Sequence, residues 1–181
     1  RRFDRGEDGS RIHIEDFAQV LGLFPEEKYK QFNYETIANV LAALAGEEGL
    51  KAFIHRLIFV IASGNGDAHH KNWSLIYPDG VNARLAPAYG LVSTIQYMPD
   101  DRLALTLARS RAWSDVSFQS FTRLARKIGS AESTMKSMVE ESAGKVLDAW
   151  SRVRAHVGYE QAAVDRLDRH MREIPLLRIS R

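Results

Sequence analysis

The residues best suited to chemistry lie within residues 64–77, Gly64-Asn65-Gly66-Asp67-Ala68-His69-His70-Lys71-Asn72-Trp73-Ser74-Leu75-Ile76-Tyr77. A carboxylate, Asp67, stands five positions before a carboxamide, Asn72, with His69, His70 and Lys71 between them. A carboxylate can accept the proton of an attacking hydroxyl. A carboxamide oxygen suits magnesium, which prefers oxygen donors. An ammonium group such as that of Lys71 can neutralise a phosphoryl group in transfer. Together these groups match what phosphoryl transfer needs, since positioning and charge neutralisation supply most of its catalysis. Other readings stay open on these residues alone. Glycine, asparagine and aspartate also build ordinary turns. The two histidines suggest zinc or, with the asparagine, a metal-dependent nuclease. Adjacent histidines point in different directions, however, and no further ligand stands at the usual i+4 spacing.

The flanks of this loop read as its supports. Residues 49–63 are the most apolar stretch, with Leu50, Phe53, Ile54, Leu57, Ile58, Phe59, Val60 and Ile61, and predict a buried helix that delivers the chain to Gly64. An earlier helix is expected over residues 34–45, where Ile37, Val40, Leu41, Leu44 and Ala45 fall at helical spacing, with Gly46 ending it. Beyond the loop, residues 73–77 read as a strand, Pro78-Asp79-Gly80 as a hairpin turn and residues 81–85 as the return strand. Residues 2–5 read as the end of a strand, 15–21 as a helix stopped by Gly22, and 103–107 as one more short strand. The last third predicts helices over residues 117–128, 132–157 with a bend at Gly144, and 160–173, stopped before Pro175. Leu176 and Leu177 are expected to dock on the domain, and Arg109 and Arg111 to lie on a solvated loop or to meet a phosphate.

Composition narrows the classes. A length of 181 residues with 45% hydrophobic content fits one domain with a real core. The formal charge of +2 is nearly neutral and neither demands nor excludes nucleic acid, and direct nucleic-acid binding is not expected. The lack of cysteine excludes disulfides, thiolate metal sites and a cysteine nucleophile, and fits a cytoplasmic location. No apolar run reaches the roughly 20 residues that cross a bilayer. The opening Arg1-Arg2-Phe3-Asp4-Arg5, without an initiator methionine, suggests a fragment or a trimmed chain.

Asp67 and Asn72 repeat the spacing of protein-kinase catalytic loops, an aspartate followed after four intervening residues by an asparagine. With its flanks, the chain resembles the C-terminal part of HipA-family serine/threonine kinases, the toxins of HipA–HipB toxin–antitoxin pairs. Three stretches carry the likeness. Arg2-Phe3-Asp4-Arg5, with Arg11-Ile12-His13-Ile14-Glu15-Asp16-Phe17 and residues 25–29 after it, resembles the family's hinge strand and the segment beyond it. Asn65-Gly66-Asp67-Ala68-His69-His70-Lys71-Asn72-Trp73-Ser74 resembles the family's D-x-H-x-K-N-[FW]-S catalytic loop, and Leu85-Ala86-Pro87-Ala88-Tyr89 its L-x-P-x-Y-D segment.

The resemblance implies a mainly helical C-terminal lobe of a protein-kinase-like fold with a small β-hairpin and no N-terminal lobe. It would form one domain over residues 1–181: hinge and leading helices in 1–63, catalytic loop, hairpin and metal segment in 64–108, and a helical subdomain in 109–181. It implies that Asp67 is the catalytic aspartate and Asn72 a magnesium ligand. His69, His70 and Lys71 would lie along the phosphates of ATP or the metal, and Tyr89 would touch the nucleotide near the metal segment. Arg2 and Phe3 would lie beside adenine and Asp4 near the ribose. The implied partners are a protein substrate, such as an aminoacyl-tRNA synthetase, and a HipB-like DNA-binding antitoxin. Two departures stand out. Gly90 occupies the position of the second metal-binding aspartate, and no glycine-rich phosphate loop or lysine precedes the hinge. The expectation is therefore a kinase C-lobe that is inactive as this chain. The alternative is a pseudokinase-like module that binds an antitoxin or another partner without phosphoryl transfer.

Overall fold

The computed structural model describes residues 2–158 and 160–178. Its frame is α2, Tyr34–Ala62, which begins where the Asn33 side chain caps the Thr36 N–H at 3.0 Å. The two helices expected here run end to end, kinked where Gly46 takes φ 63° and ψ −160°. That backbone state is nearly free for glycine and costly for other residues. Beyond the kink, Phe53, Ile54, Leu57, Ile58 and Ile61 are fully buried. They are covered by α4 (Glu132–Val153), α3 (Phe118–Ile128), α5 (Gln161–Glu173) and β3 (Arg84–Leu85). Phe59, expected in the core, is 43% exposed.

The β structure is larger on one side and smaller on the other than the sequence suggests. Strand β2, Ser74–Tyr77, is the centre of a three-stranded antiparallel sheet ordered β1-β2-β3, with β1 at His13–Asp16. Ile14 faces Ile76 and Leu75 faces Leu85. The return strand shortens to two residues because the Asp79 carboxylate accepts the N–H groups of Val81 and Asn82, which holds the chain in a turn. The helix expected over residues 15–21 reduces to α1, Phe17–Val20, because Asp16 ends β1 and caps the helix reciprocally with Gln19. Residues 2–5 form no strand beyond the single bridge of Arg5 with Arg11. Residues 103–107 are not a strand either. Their backbone partners are scattered: Leu103 donates to Arg111, and the Thr106 carbonyl accepts from Tyr34.

The C-terminal helices fall close to their expected places. Gly129 ends α3 in the left-handed conformation, and α4 passes through Gly144 and stops at Val153, earlier than expected. Leu176 and Leu177 are buried against the core, as the sequence suggests. His170 of α5 ties this layer to α2: its Nε2 lies 2.7 Å from the Ile61 carbonyl, so Nε2 carries the proton, and its ring meets Trp113 edge-on. Burial pushes the His170 pKa below its ordinary 6.5. Above about pH 6.5 the imidazole is neutral in both folded and unfolded chains; below it the unfolded chain binds protons that the fold refuses. The fold therefore loses stability as pH falls below about 6.5. Thermal melts between pH 5 and 8 check this, and His170→Gln should flatten the acidic decline.

Candidate active site

The loop after α2 is fastened at its backbone. Gly64 turns the chain at φ 62°. The Asn65 Oδ1 accepts the Asp67 N–H at 3.0 Å, and the Asn72 Nδ2 donates to the Asp67 carbonyl at 2.6 Å. Two buried donors, Trp73 Nε1 and the Tyr34 hydroxyl, reach the Ala68 carbonyl, each at 3.1 Å. From the other side Thr94 accepts the Gly66 N–H at 2.7 Å, and its hydroxyl faces the Gly64 carbonyl and the Asp101 carboxylate. Hydrogen bonds thus fasten the loop from both sides, which helps to position the Asp67 carboxylate.

Asp67 projects from this frame with its side chain 45% exposed. Its Oδ1 accepts the Tyr29 hydroxyl at 2.5 Å. His69 lies beneath it, buried, with Nε2 3.7 Å from the same oxygen. The His69 Nδ1 accepts the Lys71 N–H, so Nε2 holds the proton and faces the carboxylate. Burial lowers the His69 pKa, which favours the neutral ring.

A cleft of about 460 Å³ opens beside the loop and is walled by Arg2, Phe3, Asp4, Lys71, Ser74 and Tyr89, five of which the sequence singled out. Phe3 and Tyr89 stack with centroids 5.8 Å apart. The Tyr89 hydroxyl is committed to the loop: it donates to the Lys71 carbonyl at 2.9 Å and contacts the Ser74 hydroxyl. Asp4 is buried and its carboxylate is met by Arg2 at 2.6 Å and Arg5 at 2.9 Å. The Arg2 hydrogen bond holds the Asp4 carboxyl at about 2, well below the usual carboxylate range. Asp4 is thus engaged by guanidinium groups on the cleft wall.

His70 departs from the expected line of phosphate contacts. Its ring is fully buried, turned away from the cleft, and its Nδ1 bonds to the Lys28 carbonyl at 2.7 Å. In the short 3-10 turn His70–Asn72, successive side chains point in different directions. Lys71 faces the cleft, so the adjacent His70 faces the core.

Asn72 has its Nδ2 occupied by the Asp67 carbonyl, which leaves Oδ1 as an acceptor. Gly90 lies directly against it. A Cβ built on Gly90 would sit 3.2 Å from the Asn72 Cγ and 3.4 Å from its Oδ1. Gly90 has φ 62°, a conformation that aspartate tolerates better than most residues. A side chain here would point at the carboxamide, but glycine offers no donor. Among the described residues no three His, Cys, Asp or Glu side chains converge on a point suited to a metal ion. At these two positions Asn72 Oδ1 is the one side-chain oxygen available to a magnesium ion.

Several partners of the site escaped the sequence reading. Tyr29 lies 38 residues from Asp67, and Thr94 lies 28 from Gly66. Arg56, on the apolar helix, stands over the Trp73 ring and bonds the Ala86 carbonyl at 2.5 Å. Burial lowers its pKa to about 10. An arginine in a core helix was the available signal, since such a residue needs an acceptor.

Residues 1–150 match the family described as HipA-like C-terminal domain. The chain belongs to this family. A protein named "Putative kinase Y4dM", from Sinorhizobium fredii, is 37% identical over 179 residues, 98% of this chain and 44% of its own length. A second from that organism, "Putative kinase Y4mE", is 32% identical over 139 residues, 71% of this chain and 33% of its own. The structure is similar to one from Shewanella oneidensis, reported as a complex of the toxin–antitoxin proteins HipA and HipB with operator DNA. The TM-score is 0.73 at 21% identity, over 98% of this chain and 46% of that one, which establishes the shared fold. The HipA-like chain spans less than half the length of these relatives. It is mainly helical with a small antiparallel sheet, as the resemblance implied, and the sheet has three strands rather than a hairpin's two.

Gly66 gives the sharpest test of the loop's frame. An alanine Cβ there would overlap the Asp101 carboxylate and come within 2.6 Å of the Arg102 carbonyl oxygen. Gly66→Ala should cost about 1–3 kcal/mol, the usual penalty for overpacking, measured by urea denaturation.

Proposed function

We propose that this chain is the catalytic-loop half of a HipA-type serine/threonine kinase whose phosphoryl transfer is disabled at Gly90. Asp67 is the group that would accept the proton of a protein hydroxyl. Phe3 and Tyr89 offer aromatic surface for adenine. Arg2 and Asp4, paired with each other, would lie on the hinge beside adenine and ribose, Lys71 offers positive charge to the phosphates of ATP, and Asn72 Oδ1 offers a single oxygen to magnesium. The observation that carries this reading is the pairing of Asn72 with Gly90. The glycine lies where a side chain would meet the carboxamide, in a left-handed backbone state that strains aspartate less than most residues. A nucleotide also needs a roof over its phosphates, and residues outside this chain would supply it.

The protein acted on would carry a serine or threonine, with an aminoacyl-tRNA synthetase as one candidate, in the cytoplasm. A HipB-like DNA-binding antitoxin is the proposed regulatory partner, by analogy with the Shewanella oneidensis complex. The second reading is a pseudokinase-like binding module that holds such a partner without transferring phosphate. It draws support from Gly90, which offers no side-chain oxygen beside Asn72. Both readings agree that no helix among the described residues is long and apolar enough to span a membrane.

The intact protein, assayed for transfer of labelled phosphate from ATP to an acceptor protein, separates them. Gly90→Asp should raise the rate by about 100-fold or more, and Asp67→Ala in that background should abolish it. Transfer by the glycine form that survives Asp67→Ala would contradict the proposed role of Asp67. A Gly90→Asp protein that binds its partner but transfers nothing would favour the binding module.

A further inference from the structure

Residues 22–33 cross in front of the catalytic loop between α1 and α2. The segment holds only one short 3-10 turn, Pro25–Glu27, and Gln31 adopts φ 64°, a strained state for a residue with a side chain. Two ties fasten it to the loop. The Lys28 carbonyl accepts both the backbone N–H of His70 at 3.3 Å and its ring Nδ1 at 2.7 Å. The next residue, Tyr29, sends its hydroxyl to the Asp67 Oδ1. The Tyr29 ring meets His69 edge-on at 4.9 Å, and the Lys28 ammonium lies 5.0 Å from the ring centre.

A hydroxyl donating to Asp67 is the arrangement a phosphoacceptor must adopt before transfer. We propose that Tyr29 fills the acceptor-hydroxyl subsite of Asp67, so that residues 22–33 act as a built-in stand-in for a protein substrate. This rests on the reading of Asp67 as the proton-accepting group of a kinase. The subsite is bounded by the Asp67 carboxylate and the His69 edge, and would take the hydroxyl of a serine or threonine side chain once Tyr29 has swung away. His70 supplies the hinge: its buried ring grips the Lys28 carbonyl, so the segment stays anchored one residue from the hydroxyl that leaves. Tyr29 is 40% exposed, so its outward path is open. Burial, then the Asp67 hydrogen bond, raises the phenol to about 12, so it remains a donor at neutral pH.

The test is the kinetics of the intact protein carrying Gly90→Asp, with dephosphorylated casein as acceptor, with and without Tyr29→Phe. Loss of one hydrogen bond to a carboxylate should lower the KM for casein about tenfold and leave kcat and the KM for ATP unchanged. A fall in kcat at constant casein KM would make Tyr29 a positioning residue for Asp67 and overturn the proposal. No change in either constant would also overturn it. Hydrogen exchange of residues 28–33 in the protein without Gly90→Asp serves as the second readout. Tyr29→Phe and Asp67→Asn should each speed it, and unchanged exchange would mean the contact does not hold the segment. Faster exchange with no phosphoryl transfer from any variant, Gly90→Asp included, would leave the contact standing. It would nevertheless overturn both the kinase reading and the acceptor subsite built on it.

Discussion

The site depends on one buried oxygen. The Ala68 carbonyl, in the middle of the catalytic loop, accepts hydrogen bonds from Trp73 below and Tyr34 at the start of α2. Both donors are buried, and a buried indole or phenol without a partner would cost about 1–3 kcal/mol. Satisfying both donors brings the loop down onto them at this point. Asp67 is then exposed on one side of Ala68 and His69 is tucked under it on the other. Arg56 closes the arrangement from α2 by reaching the Ala86 carbonyl, so the hairpin and the loop share one support.

That rigidity gives Gly90 its meaning. Asn65 reaches toward the Gly90 carbonyl at 3.4 Å, and the Tyr89 hydroxyl is held by the Lys71 carbonyl, so the segment around the glycine is tied to the loop from both sides. Its place beside Asn72 is thus a property of the frame. The frame sets Gly90 beside the Asn72 carboxamide, where a side chain would meet it.

Sequence reading reached some parts of this and not others, for reasons that can be named. Asp67, Lys71, Asn72 and Gly90 were readable because their relations are local or fixed by motif order. The apolar helix was readable from its periodicity, and Gly46 from its conformational freedom. What stayed hidden was non-local. Nothing in the spacing of Tyr29 announces Asp67, because residues 22–33 have no periodicity to say which way a side chain turns. Thr94 looks like any loop threonine until Gly66 is seen to need an acceptor. Residues 103–107 alternate like a strand, yet their backbone bonds to Tyr34 and Arg111 rather than to a neighbouring strand. His70 was read with its neighbours as a cleft residue. Its inward turn comes from the tight 3-10 geometry, which residue types alone do not disclose.

Under the proposed function, Gly90 stands where a second metal ligand would complete the site. The direct measurement is Mn2+ titration followed by electron paramagnetic resonance, on the unaltered protein, on Gly90→Asp and on Gly90→Asp with Asn72→Ala. The account predicts no saturable binding by the first, saturable binding by the second and its loss in the third. Saturable binding by the unaltered protein that Asn72→Ala removes would contradict it.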